Sequence, residues 1–315
     1  MTWFSVAIIS YVLMAVVNLT DKFLIDNVVK SPKTYTFLVC TLSLLVFVVA
    51  PWFLEFPGWR GLLIAVLSGS LFTAATFFMY EALRRTAASQ TIIIIGGLVP
   101  VFTALLSFIF LKETFSAYQI GGLALLIAGT FLIALLPTVT SFWEKIWQKF
   151  HPNKYKRRSW RLAVLAALFY AAFFVATKVV YSHQSFVSGF MWLRLGAFLA
   201  AAVFLLEPNS RQEIIQQIFP KNKKKKSKNN NFLFLANQGL GALSSILQNY
   251  AVFLGPVALV TALQGVQYGV LIVLSFILGI FVKQYKEEFV WRVFLQKLIA
   301  LLLISGGLYL TAFQI

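Results

Sequence analysis

Three runs of polar side chains interrupt otherwise apolar stretches of this chain, and the spacing of each run fits one helical face. Asn237, Gly241, Ser244, Ser245 and Gln248 form one stripe, which Tyr250 continues. Thr261, Gln264, Gln267 and Tyr268 form a second just after it. Gly69, Thr73, Thr76 and Tyr80 form a third, at steps of four, three and four residues. Amides and hydroxyls in this pattern give and take hydrogen bonds; they are not the nucleophile–base pair that covalent catalysis needs. On a membrane-spanning helix such a stripe turns away from lipid, toward a neighbouring helix or a wet cavity. Interhelical hydrogen bonds, worth about 0.6 kcal/mol each, account for any single Ser or Thr. Three stripes with amides on two adjoining spans favour a solute cavity lined by Thr73, Thr76, Tyr80, Asn237, Ser244, Gln248, Thr261, Gln264 and Tyr268.

Four charged side chains stand by these stripes. Lys22, Lys178 and Arg194 read as lying near span ends, where long basic side chains snorkel to the interface. The alternative is a positive rim on a pore for an anionic or zwitterionic solute. Glu81, next to Arg84 and Arg85, is the acidic residue best placed to sit inside a span, either paired with an arginine or taking up a coupling proton. Gly96, Gly97 and Pro100 predict a kink in their span, because proline removes a backbone donor and crowds the preceding turn. Such a kink either packs statically or opens backbone groups to a substrate.

Catalytic constellations are missing from the pattern. The two histidines, His151 and His183, fall in a loop and at a span edge, and no Cys, His or carboxylate cluster has metal-ligand spacing. No Walker-type loop would support ATP hydrolysis. The expectation is a non-enzymatic protein with no metal and no cofactor.

The elements that must position these residues follow from composition. Of 315 residues, 60% are hydrophobic and 12% charged, against about half and a quarter in soluble domains. Runs of roughly twenty apolar residues match a ~30 Å hydrocarbon core. They occur at about 3–19, 35–54, 61–83, 89–111 and 117–136, and again at 162–181, 186–206, 232–254, 257–282 and 293–313. Continuous runs of this length exclude the alternating strands of a barrel. The fold class is an all-α integral membrane protein, with ten transmembrane helices in two sets of five. The net charge of +17 sits almost wholly in the linkers. There it reads as a topology signal and as contacts to anionic lipid headgroups, not as a nucleic-acid surface. The single Cys40 lies in a span and excludes an intramolecular disulfide. Met1–Thr2 lacks a basic lead, so the first span is expected to remain as an anchor.

The second set of five echoes the first. QIGGLALLIAGTFLIA from Gln119 aligns with QKLIALLLISGGLYLT from Gln296, placing Gly129 on Gly306. A charged elbow precedes each, at Lys112-Glu113 and Lys286-Glu287, and Tyr80 and Tyr250 fall near the same end of the third and eighth spans. The boundaries expected are 1–137 for the first repeat, 138–160 for a basic linker and 161–315 for a more diverged second repeat. Within the linker, Phe142, Trp143, Ile146, Trp147 and Phe150 take helical spacing opposite Lys145 and Lys149, the pattern of an interfacial helix. A small amphipathic piece, EIIQQIF, and a lysine tract at 223–228 follow the seventh span.

Between Tyr80 and Ala134 the first half resembles the EamA domain of the drug/metabolite transporter superfamily. The matching features are Tyr80-Glu81-Ala82-Leu83, Ala88-Ser89, Pro100 mid-span, the elbow Leu111-Lys112-Glu113, and Gln119-Ile120-Gly121-Gly122. Lys112 stands where the family usually has glycine. The second half departs further, with Val270 near the expected proline, although Arg194 is similar to an arginine many members carry early in the second span of a repeat. The resemblance implies two inverted five-helix repeats and a transporter of small molecules, and it is silent on which molecule. Small multidrug members carry a glutamate at the centre of their first span; here Asn18 and Asp21 come late, which disfavours an exporter of lipophilic cations.

Together these features predict a secondary transporter moving a small polar metabolite by alternating access through a midplane cavity. The fifth and tenth spans are expected at the periphery. A non-transporting scaffold or sensor is the alternative, with an intramembrane enzyme behind it. The linkers after the odd-numbered spans carry most of the Lys and Arg, so these basic loops are predicted to be cytoplasmic in a cell (plasma or inner) membrane. That places both termini outside, whereas the better-known members resembled have both inside.

Overall fold

The computed structural model describes residues 2–27, 31–85, 88–134, 159–218, 228–267, 269–270, 274 and 291–312. These residues are helical, with no strand among them. In chain order the helices are α1 (Trp3–Asn27), α2 (Pro32–Ser43), α3 (Gly58–Arg85), α4 (Ala88–Leu106), α5 (Ala117–Ala134) and α6 (Ser159–His183). They continue as α7 (Phe186–Ala202), α8 (Pro208–Ile218), α9 (Lys228–Leu254), α10 (Val257–Ala262) and α11 (Trp291–Ala312). Five segments are long and apolar enough to cross a bilayer: Pro32–Phe53, Gly58–Arg85, Ile94–Leu111, Trp160–His183 and Phe186–Leu206. The expected interfacial helix at 142–150, the lysine tract at 223–227, Tyr268 and residues 271–273 and 275–282 of the ninth span lie outside the described residues. So does the side chain of Lys22, which α1 carries.

The helices show an inside and an outside that water alone would not tolerate. Leu63 and Leu67 of α3, Phe108 and Phe110 after α4, Leu206 after α7 and Leu302 of α11 are all more than half exposed. That is the surface a lipid solvent covers. Trp52, Phe56 and Trp59 cluster exposed around the turn between the second and third spans, as expected of an aromatic interface belt. Ser188 and Trp192 of α7 hold that turn through the Glu55 carbonyl, at 3.0 and 2.8 Å. The amphipathic piece after the seventh span is α8; its neighbour Glu207, outside the spans, pairs with Lys33 and accepts from Ser210. Those two partners hold the Glu207 carboxyl below the usual carboxylate range.

Close helix crossings occur where glycine removes the Cβ. At the α3–α7 crossing a Cβ on Gly69 would stand 2.2 Å from the Leu193 carbonyl oxygen, and one on Gly196 2.6 Å from Val66 Cα. Backbones this near fix the relative register of Thr73, Phe72 and Arg194, which the site uses. At the α5–α11 crossing Gly129 lies against Ala300 and Ile304, while Gly307 lies against Gly122 and Leu126. The two sets exchange under one register: 122 to 300, 126 to 304, 129 to 307. The equivalent of Gly129 is thus Gly307, one residue beyond the Gly306 that alignment of letters suggested. Contact geometry sees the missing side chain, and a run of similar apolar letters does not.

Two sequence expectations need correction. The first helix does not end with its apolar run at 19 but continues to Asn27, so Asp21 is carried inside the bundle and is 6% exposed. Arg194 is not near a span end: it lies well within Phe186–Leu206 and is 5% exposed. Helix α4 is continuous through Gly96, Gly97 and Pro100, and a π-helical turn follows it at Ser107–Leu111.

Candidate functional site

Two polar centres and one electrostatic clasp occupy the interior. The first centre gathers at Asp21. The hydroxyl of Tyr35, from α2, donates to its Oδ1 at 2.6 Å. The Nδ2 of Asn237, from α9, donates to the same oxygen at 2.7 Å. Tyr80, from α3, donates to Oδ2 at 3.4 Å, and Gln238 donates to the Tyr35 hydroxyl at 3.2 Å. The rings of Tyr35 and Tyr80 stand 4.5 Å apart, centroid to centroid. Four helices therefore meet on one carboxyl group, and no basic side chain among the described residues touches it.

The second centre is Arg194. Its guanidinium donates to the Ser245 hydroxyl and lies over the faces of Phe72 and Phe190, 4.8 and 4.5 Å from their centroids. No carboxylate among the described residues pairs with it. Asn249 donates to the Ser245 carbonyl at 2.8 Å and accepts from Tyr181 at 3.2 Å, so the α9 wall of this centre is rigidly held.

The clasp joins Lys178 and Glu113 across the turn between α9 and α10. Lys178 Nζ donates to the carbonyls of Val252, Phe253 and Gly255 at 2.9, 3.1 and 2.8 Å. Those include orphan acceptors at the α9 C-terminus, where a cation also suits the helix dipole. Glu113 Oε1 accepts from the Val257 amide at 2.9 Å, at the α10 N-terminus. An anion there serves the opposite dipole end. Lys178 thus turns inward to cap a helix; it does not reach for the interface.

The remaining stripe residues fall as follows. Thr73 is buried and donates to Ala197 at 2.8 Å across the α3–α7 crossing, with Cys40 Sγ 3.6 Å away. Thr76 donates to the Phe72 carbonyl and meets the Tyr170 hydroxyl at 3.3 Å. Ser244 and Ser10 exchange hydroxyl-to-carbonyl bonds, both 2.9 Å, between α9 and α1. Gln248 donates to Tyr11 at 3.1 Å. Thr261 bonds back to its own helix at Val257 and Ala258. Gln264 is half-buried, and Gln267 is 1% exposed with neither amide atom partnered among the described residues. Glu81 pairs with Arg85 one turn on. Gly96, Gly97 and Pro100 are buried, with Phe131 of α5 3.7 Å from where a Gly97 Cβ would stand. No group of three His, Cys, Asp or Glu side chains suited to a metal occurs among the described residues.

Residues 1–135 match the EamA-like transporter family. A stretch of 86 residues is 36% identical to Crt homolog 2 of Dictyostelium discoideum, covering 27% of this chain and only 16% of that relative. The EamA-like match stops at 135, but the fold likeness does not. A solved crystal structure superposes on 99% of this chain and 96% of its own with a TM-score of 0.64, at 16% identity. Within the EamA-like half, the Leu-Lys-Glu elbow now has a physical role. Lys112 takes the left-handed conformation, φ 53°, that a glycine adopts freely, and the turn it makes presents Glu113 to α10. Asp21 was not selected as a site from the sequence; Lys178 was named as a possible rim charge and Glu113 as part of the elbow, but their joint role at the α9–α10 turn was not read. Asp21 had one signal, its place on a helical line with the buried Ser10, Val17 and Leu24. The joining of Lys178 and Glu113 had none, because the atoms they bond are backbone atoms distant in sequence.

Proposed function

We propose that this chain is a secondary transporter that carries a small polar metabolite with a negative charge, such as an amino acid or related anion. It works by alternating access between two inverted five-helix repeats, without ATP. The observation that carries this reading is Arg194. An enclosed guanidinium with one hydroxyl, two ring faces and no carboxylate among the described residues is an expensive thing to keep in a membrane. A solute carboxylate or phosphate would complete its fork geometry. Family membership supports transport, and the unpartnered Gln267 amide supports a nearby polar ligand, since buried amides otherwise find partners. The antiparallel α5–α11 crossing, with exchangeable contacts on its two sides, supports the inverted repeat.

The test is uptake by purified protein in liposomes, over a panel of amino acids, organic acids and their neutral analogues. Acidic and zwitterionic solutes are expected to enter and neutral analogues to fail. Arg194→Gln is expected to cut uptake at least tenfold with the protein still folded. Equal uptake of neutral analogues, or full activity in Arg194→Gln, contradicts the anion reading; no uptake of any solute favours a scaffold.

A further inference from the structure

We propose that Asp21 is a reversible proton-binding site, and that its protonation state sets the junction of α1, α2, α3 and α9. The use of that proton for coupling rests on the transporter reading; its binding does not. A carboxyl enclosed by helices can change charge only if both forms find partners there. The charged form has them, in the three donors Tyr35, Tyr80 and Asn237. The neutral form also has one waiting. Asn237 is 3% exposed, and its Oδ1 is buried without a donor among the described residues. The two ends of an amide differ little in shape, so a half-turn about its terminal bond presents Oδ1 where Nδ2 stood. A proton arriving on an Asp21 oxygen then becomes the donor, and the Asn237 carbonyl accepts it. When the proton leaves, the amide turns back and donates again.

The surroundings favour a proton over a metal cation. All three groups bonded to the carboxyl present hydrogens to it, whereas a sodium ion would need oxygen lone pairs converging on one point. The titratable groups facing Asp21 are Tyr35 from α2 and Tyr80 from α3, with Tyr170 of α6 further off; α9 offers the neutral Asn237 and Gln238. Tyr35 and Tyr80 both act as donors, so the proton that moves belongs to Asp21. Because each partner comes from a different helix, adding the proton weakens the bonds from α2 and α3 together and reverses the one from α9. That ties proton occupancy to helix arrangement.

The experiment is pH-difference infrared spectroscopy of the full protein in liposomes, which reads protonated carboxyl groups directly and requires no solute. A carboxylic acid band should appear on acidification and disappear on return to alkaline pH. It should vanish in Asp21→Asn and return with a displaced frequency in Asp21→Glu, which also shows that the variants fold. In Tyr35→Phe, which removes a donor to the charged form, the midpoint should move up by about one pH unit. An unchanged titrating band in Asp21→Asn overturns the proposal, and so does a band that sodium displaces at constant pH. Once a solute is known, Asp21→Asn should lose acceleration of uptake by a pH gradient while keeping solute exchange. Intact pH-gradient dependence in that variant would overturn the coupling role. Failure of all transport with the infrared titration intact would count against the transporter reading and leave proton binding standing.

Discussion

Single side chains in this protein do work whose partners are backbone atoms, and Lys178 shows it most clearly. Its ammonium satisfies three carbonyls at the end of α9. Hydrogen bonds from a charged donor are worth about 1.5–3 kcal/mol, so Lys178→Met should lower unfolding stability in mild detergent by about 2 kcal/mol. A loss under about 0.5 kcal/mol would mean that the carbonyls find other donors. The sequence showed a lysine near the end of a span, for which the ordinary expectation is a side chain reaching for the headgroups. What it did not show was that a second helix terminates beside that lysine. Asp21 was misplaced for a related reason, whereas Arg194 already stood inside the run at 186–206 and only its burial was not legible. Apolar runs fix where a span is plausible, but a helix continues past its apolar letters when neighbouring helices supply partners. Thr73, Thr76 and Ser244 were legible as residues that avoid lipid, since all are buried. Their bonds across and along helices come from register, which periodicity alone does not carry.

Elements were the most legible scale. Long apolar runs gave the helices, and the described ends differ from the runs by a few residues in most cases, because polar ends such as Lys228–Asn231 extend the helix without extending the apolar stretch. Crossings were less visible, since they depend on which glycines face which backbone. Gly129 and Gly307 make the point quantitatively. A Cβ on Gly129 would stand 2.8 Å from Ile304 Cγ1, and one on Gly307 2.7 Å from Leu126 Cγ. Each substitution to alanine should cost about 1–3 kcal/mol by forcing α5 and α11 apart. The double variant should cost less than the sum, because one separation relieves both contacts. Gly239→Ala is the control. Nothing stands within 4 Å of its Cβ, and alanine should be neutral or stabilising by up to about 1 kcal/mol. Additive losses at 129 and 307 would show that the contacts are not shared.

At the scale of the whole molecule, charge distribution and fold make separate statements. The helical membrane fold is indifferent to which way up it sits, and the basic linkers are not. We expect a cysteine introduced at Ser227, in a Cys40→Ala background, to resist an impermeant thiol reagent applied to intact cells; efficient labelling from outside would reverse the orientation. Composition and run length announced the membrane class, and the resemblance between Tyr80 and Ala134 announced the family. The solute was not legible, because the side chains proposed to recognise it, Arg194, Ser245, Phe72 and Phe190, are brought together by three helices from distant parts of the chain. Alternating access makes the sharpest claim about the assembled molecule, and solute counterflow in proteoliposomes tests it most directly. With no ATP present, vesicles preloaded with an unlabelled solute that the protein carries should take up the labelled form faster than empty vesicles, with a transient overshoot. Uptake that internal solute does not accelerate, as through an open pore, would contradict the account.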